Sequence, residues 1–364
     1  MNAPRPADRF LDAARQAADA AHPGDVTALL TRFGCAGLFA RLGVDPPVTV
    51  DRAAHRLHQL FDVLLLERAG EIGEALDAAG VEHFFAKGVA LLARVYRPGD
   101  RVTSDVDLYV PPAQRRAALE RLGALGYAPW AERDQSGPPA LRSSLALGRG
   151  GTGDLEHATV DLHWALDPVD RLLPRSDHPI PRRLWRAVGR EGALRAPAPE
   201  HHAALLVRHL VHADFLPVRN VLDVAYLFGT MPADAGVEYL AAASELGVRG
   251  PARAVARLLA REFDIDRPAA RGTGPMRPRF LARLSLEGLI AAAARANPED
   301  NASITVRRIR RRIATLGATA VPRILADVFF PPPAFLAWRW PDRHAGAARA
   351  RHYGQVVRKM LRSG

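Results

Sequence analysis

Ser104-Asp105-Val106-Asp107-Leu108-Tyr109-Val110 and Thr159-Val160-Asp161-Leu162-His163-Trp164 decide the fold. In both stretches β-branched or aromatic residues alternate with polar ones, which predicts half-buried strands. Residues two apart on a strand share a face, so Asp105 and Asp107 project together. Carboxylates held that close repel unless a cation or a proton neutralises them. A third carboxylate, Asp161 on a neighbouring strand, would complete a hard-oxygen cage for Mg²⁺, with Mn²⁺ as a substitute. Such a cage at a sheet edge suits phosphoryl or nucleotidyl transfer, in which metal ions bridge the phosphates of a nucleotide such as ATP.

An Asp-x-Asp alone is more often a solvated strand face, so its surroundings matter. Upstream, Phe84-Phe85-Ala86-Lys87-Gly88-Val89-Ala90-Leu91-Leu92 reads as a short apolar strand, a Lys-Gly turn and a helix start. A glycine at such a turn lets phosphate approach the backbone, and the helix N-terminus favours anions. Lys87 adds positive charge. Arg101 and Ser104 precede the acidic pair and are candidate phosphate contacts. Arg101 is the stronger of the two, because a guanidinium fork matches phosphate oxygens.

The ordered set of Lys87-Gly88, Arg101, Asp105-Val106-Asp107 and Asp161-Leu162-His163-Trp164 resembles the catalytic core of the DNA polymerase beta-like nucleotidyltransferase superfamily. Within it, the chain is most similar to a bacterial nucleotidyltransferase family. Pro199-Glu200-His201, Leu210-Val211-His212 and Leu222-Asp223-Val224 extend the likeness. The resemblance implies that Asp105, Asp107 and Asp161 are catalytic metal ligands and that Gly88 and its neighbours form the nucleotide phosphate loop. The chain departs from the pattern twice. Val89 stands where the superfamily usually has a small residue. The interval from Gly88 to Asp105 is also long, and Arg97-Pro98-Gly99-Asp100 reads as the loop that absorbs it.

The expected architecture is α/β plus α: a small mixed-sheet nucleotidyltransferase core flanked by N-terminal helices and a C-terminal helical domain. Residues 1–80 read as the N-terminal helical segment, 81–168 as the catalytic core and 169–364 as the helical domain with a basic C-terminal region. Core elements are expected at 82–86, 104–110, 140–147 and 155–163 as strands, with helices at 88–95 and 112–124. Gly148 to Gly153 lacks the strand-before, helix-after setting of a phosphate loop and reads as a hairpin turn. After Leu166-Asp167-Pro168 the strands are expected to stop.

Histidines 201, 202, 209 and 212 fall in the helical domain, with His202, His209 and His212 near one helix face by their spacings of seven and three. A role against the nucleotide or acceptor is more plausible there than a metal site, since no His-Glu-x-x-His pattern accompanies them. His212 and Asp223 are read foremost as a buried polar pair fixing helix packing. His163 is read as out of phase with Asp161, a sheet-to-helix hydrogen bonder rather than a base.

The protein has 364 residues and a formal charge of +11. Residues 301–364 hold 13 Lys or Arg and 2 Asp or Glu, a net of +11, so the rest sums to zero. That asymmetry suggests an acidic partner for this end, such as RNA or another polyanion, against the alternative of arginines that merely solvate helix faces. The one cysteine excludes an internal disulfide, and no apolar run is long enough to be a transmembrane segment. A cytoplasmic location is the simplest reading. The expected function is Mg²⁺-dependent transfer of NMP from an NTP to a hydroxyl of RNA, protein or a small molecule. The competing expectation is a catalytically inactive nucleotide- or partner-binding module of the same fold. A helical scaffold docking through 301–364 ranks behind both, because it leaves the acidic trio unexplained.

Overall fold

The computed structural model describes residues 6–21, 26–44, 47–130, 142–149, 159–166, 178–215, 217–265, 284–294, 313, 321–341 and 343–362. Five strands form the main sheet: β1 (Phe84–Ala86), β2 (Asp105–Tyr109), β3 (Tyr127–Pro129), β4 (Ser144–Arg149) and β5 (Thr159–His163). Their spatial order is β1-β2-β5-β4-β3. Only β2 and β5 run parallel, and the other neighbours are antiparallel. The fold is therefore α/β plus α with a small mixed sheet.

The alternation in β2 and β5 sorts their side chains between two faces. Val106, Leu108, Val160 and Leu162 join Phe85 and Leu147 in one apolar cluster. Helix α4 (Arg52–Ala78) covers that cluster with Leu65, Ala69, Ile72 and Leu76. Helix α6 (Arg115–Ala124) adds Ala118 and Leu122. The Asp51 carboxylate caps α4, accepting from the Ala54 amide at 2.7 Å.

On the other face, Phe84, Ala86 and Tyr109 belong to a second cluster. That cluster gathers the N-terminal helices α1 (Pro6–Ala21), α2 (Val26–Arg32) and α3 (Ala36–Leu42). It also gathers α8 (Pro199–His212), α9 (Arg219–Thr230), α10 (Gly236–Glu245) and α11 (Arg249–Glu262). Helix α5 (Lys87–Arg94) follows β1 directly, and α7 (Arg182–Arg186) precedes a second sheet.

That second sheet corrects one expectation. Strands do not stop after Leu166: β6 (Val188–Glu191) and β7 (Leu194–Pro197) form an antiparallel hairpin. Each strand has four residues, and together they hold three arginine or glutamate side chains and a terminal proline, so no apolar alternation announces them. The signal that remains is Gly192 at φ 60 in the two-residue turn. Leu194 and Ala196 pack with the sheet's apolar cluster, and Glu191 and the Pro197 carbonyl hold Arg94 at the end of α5.

The long interval before β2 is a docking point for the N-terminal helices. Asp100 is buried and accepts Arg41 of α3 at 2.6 and 2.7 Å. The Gly99 amide donates to Asp62 of α4 at 2.8 Å, and the Leu38 amide donates to the Asp100 carbonyl. Gly37 and Gly99 touch so closely that a Cβ on Gly37 would lie 1.9 Å from the Gly99 oxygen.

Toward the C-terminus follow α12 (Leu286–Ala294), α13 (Val321–Phe329), α14 (Pro333–Arg339) and α15 (Ala345–Arg362). Leu336 and Trp340 pack on Ala348 of α15, so this aromatic stretch folds locally onto its own neighbour. Arginines 307, 308, 310, 311 and 312 and the Gly-rich turn from 150 onward lie outside the described residues.

Candidate active site

The site begins where β1 ends. Lys87 takes a φ of 49, a left-handed conformation that is strained for a side chain of this kind. The turn delivers its ammonium to Asp107, with Nζ 2.5 Å from Oδ1. Gly88 then packs where no side chain fits: a Cβ would lie 2.5 Å from Thr103 Cγ2 and 3.1 Å from an Arg101 nitrogen. Close packing against Thr103 is thus a sufficient reason for this glycine. Val89 is fully buried in the apolar cluster, which accounts for a large residue at that position.

Parallel pairing sets Asp107 beside Asp161 and Tyr109 beside His163. Asp161 and His163 are two residues apart, so they share a face. The expectation that His163 lies out of phase with Asp161 is therefore corrected. Its Nε2 sits 3.2 Å from Asp107 Oδ1 and 3.1 Å from Asp161 Oδ2. The ring stacks on Tyr109 at a centroid distance of 4.5 Å, and Tyr109 stacks on Phe84 at 4.8 Å. This aromatic ladder across three strands locks the imidazole between the carboxylates. The i, i+2 spacing of Asp161 and His163 was the signal that could have located it.

Charge is balanced locally. Burial disfavours ionisation of Asp107 and Asp161, but it is outweighed. Lys87 and His163 hold Asp107 below the ordinary carboxylate range. His163 and Lys87, with a hydrogen bond from Ser144, hold Asp161 below it as well. Burial likewise opposes charge on His163, yet Asp161, Tyr109 and Asp107 raise it well above the usual imidazole value. Lys87 is raised against its burial by Asp107, Tyr109 and Asp161. Asp105 behaves differently: burial first, then Asp107, push it up. Its Oδ1 accepts from the exposed Ser104 hydroxyl at 3.1 Å.

Ligand atoms of Asp107, Asp161 and His163 lie within 4.8 Å of one another, a grouping that could hold a metal ion. Asp105, on the same strand face as Asp107, stands outside that compact group.

Arg101 is placed elsewhere than expected. Its side chain is 6% exposed and its Nε and NH2 nitrogens donate to both oxygens of Asp223 in α9, at 3.0 to 3.2 Å. The Tyr96 hydroxyl donates to the same carboxylate at 2.9 Å. The fork that would suit a phosphate is engaged within the protein. The expected His212–Asp223 pair is corrected: Asp223 is a buried anchor with Arg101 and Tyr96 as its partners, and His212 is half-buried and lines the cleft.

Helix α8 closes the cleft opposite the sheet. Its apolar side, including Leu206, Val207, Leu210 and Val211, enters the large core cluster. Leu205, Arg208, His209 and His212 line the cleft together with Lys87 and His163. Of these, Arg208 drew no attention in the sequence, although it shares the helical spacing of Leu205 and His212.

The family described as uncharacterised nucleotidyltransferase matches residues 42–264, a span that contains every residue of this site. The chain belongs to that nucleotidyltransferase family. Among solved structures, the antibiotic-resistance factor ANT(2'')-Ia is 15% identical, with 52% of this chain and 94% of that one covered and a TM-score of 0.36. JHP933 from Helicobacter pylori is 14% identical, with 68% and 91% covered and a TM-score of 0.31. No curated protein matches. No described helix is long and apolar enough to cross a membrane.

Proposed function

We propose that the protein is a metal-dependent nucleotidyltransferase that moves NMP from an NTP to an acceptor hydroxyl. The observation that carries this reading is the pairing of Asp107 with Asp161, with Lys87 and His163 packed against their oxygens. Asp105, Asp107 and Asp161 would hold Mg²⁺ or Mn²⁺, and their hard carboxylate oxygens are a fitting donor set for either ion. Such an ion, when bound, neutralises NTP phosphates and polarises the phosphorus under attack.

The chain's own residues supply the rest. Lys87, one-fifth exposed at the turn before Gly88, offers an ammonium to phosphate oxygens and balances Asp107 until they arrive. His163 orients the Asp161 carboxylate through the 3.1 Å contact. The acceptor hydroxyl loses its proton to water as its oxygen bonds the α-phosphorus, the negative charge of Asp161 favouring that loss, and the bond to pyrophosphate breaks. Ser104 reaches the same edge from the start of β2 and is a further nucleotide contact. Arg101 acts at one remove, by tying α9 to the chain entering β2.

The acceptor is RNA, a protein or a small molecule, and the basic end at 301–364 favours RNA or another polyanion. Incubation with each α-labelled NTP, Mg²⁺ or Mn²⁺ and total cell lysate would place the label in one of the three fractions. Replacing Arg307, Arg308, Arg310 and Arg311 with Gln should weaken binding of a polyanionic acceptor and flatten its salt dependence, leaving NTP binding intact. An unchanged salt slope would remove the reason for preferring RNA.

A further inference from the structure

The cleft between the sheet and α8 has a one-sided lining. Lys87 and His163 face it from the sheet, and Arg208, His209 and His212 face it from the helix. Among the described residues no carboxylate lines it, and Leu166 and Leu205 supply apolar flanks. Helical spacing puts Leu205, Arg208, His209 and His212 on one side of α8, because the opposite side is committed to the core. Lys87 and His163 already contact Asp107 and Asp161, and burial disfavours charge on His209. The helix side thus brings the Arg208 guanidinium and two imidazoles to a wall whose lining is rich in nitrogen, the complement of an anion with several oxygens. The cleft opens to solvent, so an anion can reach this lining from outside.

We infer that α8 completes a phosphate subsite, in which Arg208, His209 and His212 oppose Lys87 across the cleft and bind a phosphoryl group of a reactant. This rests on the reading of the Asp107–Asp161 edge as the place of nucleotidyl transfer. Two reactants carry the required chemistry. One is the pyrophosphate end of the NTP, and the other is a phosphate ester on the acceptor. In either case α8 contributes binding rather than proton transfer, and its position ties the helical part of the chain to substrate.

The test is calorimetric titration of inorganic pyrophosphate and inorganic phosphate into the full chain with metal removed by chelation. Pyrophosphate should bind the wild-type protein, and Arg208→Gln and His212→Gln should each weaken it by about tenfold or more, as loss of a charge-assisted contact predicts. Asp161→Asn should bind it at least as well as wild type while losing transfer. His212 is partly exposed, so its variant decides the matter if Arg208→Gln fails to fold. Repeating the titrations in the presence of a non-hydrolysable NTP analogue with Mg²⁺ separates the sources. Lost anion binding assigns the subsite to the NTP, and retained phosphate binding assigns it to the acceptor. Equal affinity in wild type and both α8 variants, or no binding by wild type at millimolar anion, would overturn the inference. A protein that binds pyrophosphate in this residue-dependent way but transfers no label would refute the proposed function alone.

Discussion

Two ion pairs lie on either side of Gly88, built from the same kinds of residue and left in different states. In the Arg101–Asp223 pair the side chains are 6% and 1% exposed, and Tyr96 takes part of the remaining acceptor capacity. In the Lys87–Asp107 pair they are 20% and 3% exposed, and the adjoining Asp161 is 28% exposed. The first is a closed joint that fastens α9 to the chain entering β2. The second is one corner of an edge where carboxylates still face open space. A basic residue near an acidic motif therefore does not by itself identify a ligand contact. What distinguishes the two is whether its donors are already used.

The largest stability effect should come from splitting the closed joint. Arg101→Leu leaves Asp223 buried without its guanidinium, and breaking such a pair costs about 3–5 kcal/mol. Urea denaturation would measure it. An Arg101→Leu protein of normal stability that had lost NTP binding would break the comparison, because Arg101 would then be a substrate contact after all.

A smaller effect is expected at the residue between the pairs. Gly88→Ala forces a Cβ against Thr103, and overpacking of this kind costs about 1–3 kcal/mol. Enlarging room with Thr103→Ser in the same chain should restore part of the loss. If Gly88→Ala instead kept full stability and weakened only NTP binding, the glycine would be there for the phosphate and not for packing.

The effect smallest near neutral pH is a slope that grows as the solution is acidified. His202 lies two turns before His209 on α8, fully buried, and burial with Arg94 and Arg101 nearby pushes it down to about 3. An unfolded histidine titrates near 6.5. Between those values the unfolded chain binds a proton that the folded chain refuses. Its share of stability is therefore complete above about pH 6.5 and declines as pH falls toward 3, by at most about 1.4 kcal/mol per pH unit. His202→Leu should flatten the dependence of unfolding free energy on pH between 6 and 4. Identical slopes in the two proteins would mean that His202 is protonated inside the fold.

Much of this was legible in short-range pattern. The alternation in β2 and β5 announces which side chains face the core, and the structure places Val106, Leu108, Val160 and Leu162 there. The same alternation puts Asp105 and Asp107 together. The partner of Arg101 was not legible, because Asp223 is 122 positions away and only tertiary packing brings it near. Asp223 itself stood out, but was paired with His212 instead of Arg101. His163 was legible and misread, since its two-residue offset from Asp161 already required a shared face. The β6–β7 hairpin left too little apolar periodicity to be seen. The joining of N-terminal helices to α8–α11 in one core depends on packing between segments far apart in sequence, where local patterns carry no information.

The central claim is that the Asp107–Asp161 edge transfers a nucleotidyl group. The most direct measurement gives wild type and Asp161→Asn the same NTP labelled at either the α- or the γ-phosphate, with Mg²⁺ or Mn²⁺ and lysate as the source of acceptor. The account predicts acceptor labelling by the wild type from α-label only, because the γ-phosphate leaves with pyrophosphate. It predicts that labelling falls by about 10³-fold or more in Asp161→Asn, the scale of losing a group that stabilises the transition state, while the variant's thermal midpoint stays close to wild type. Transfer from the γ-label, or equal α-labelling by the two proteins, would contradict it.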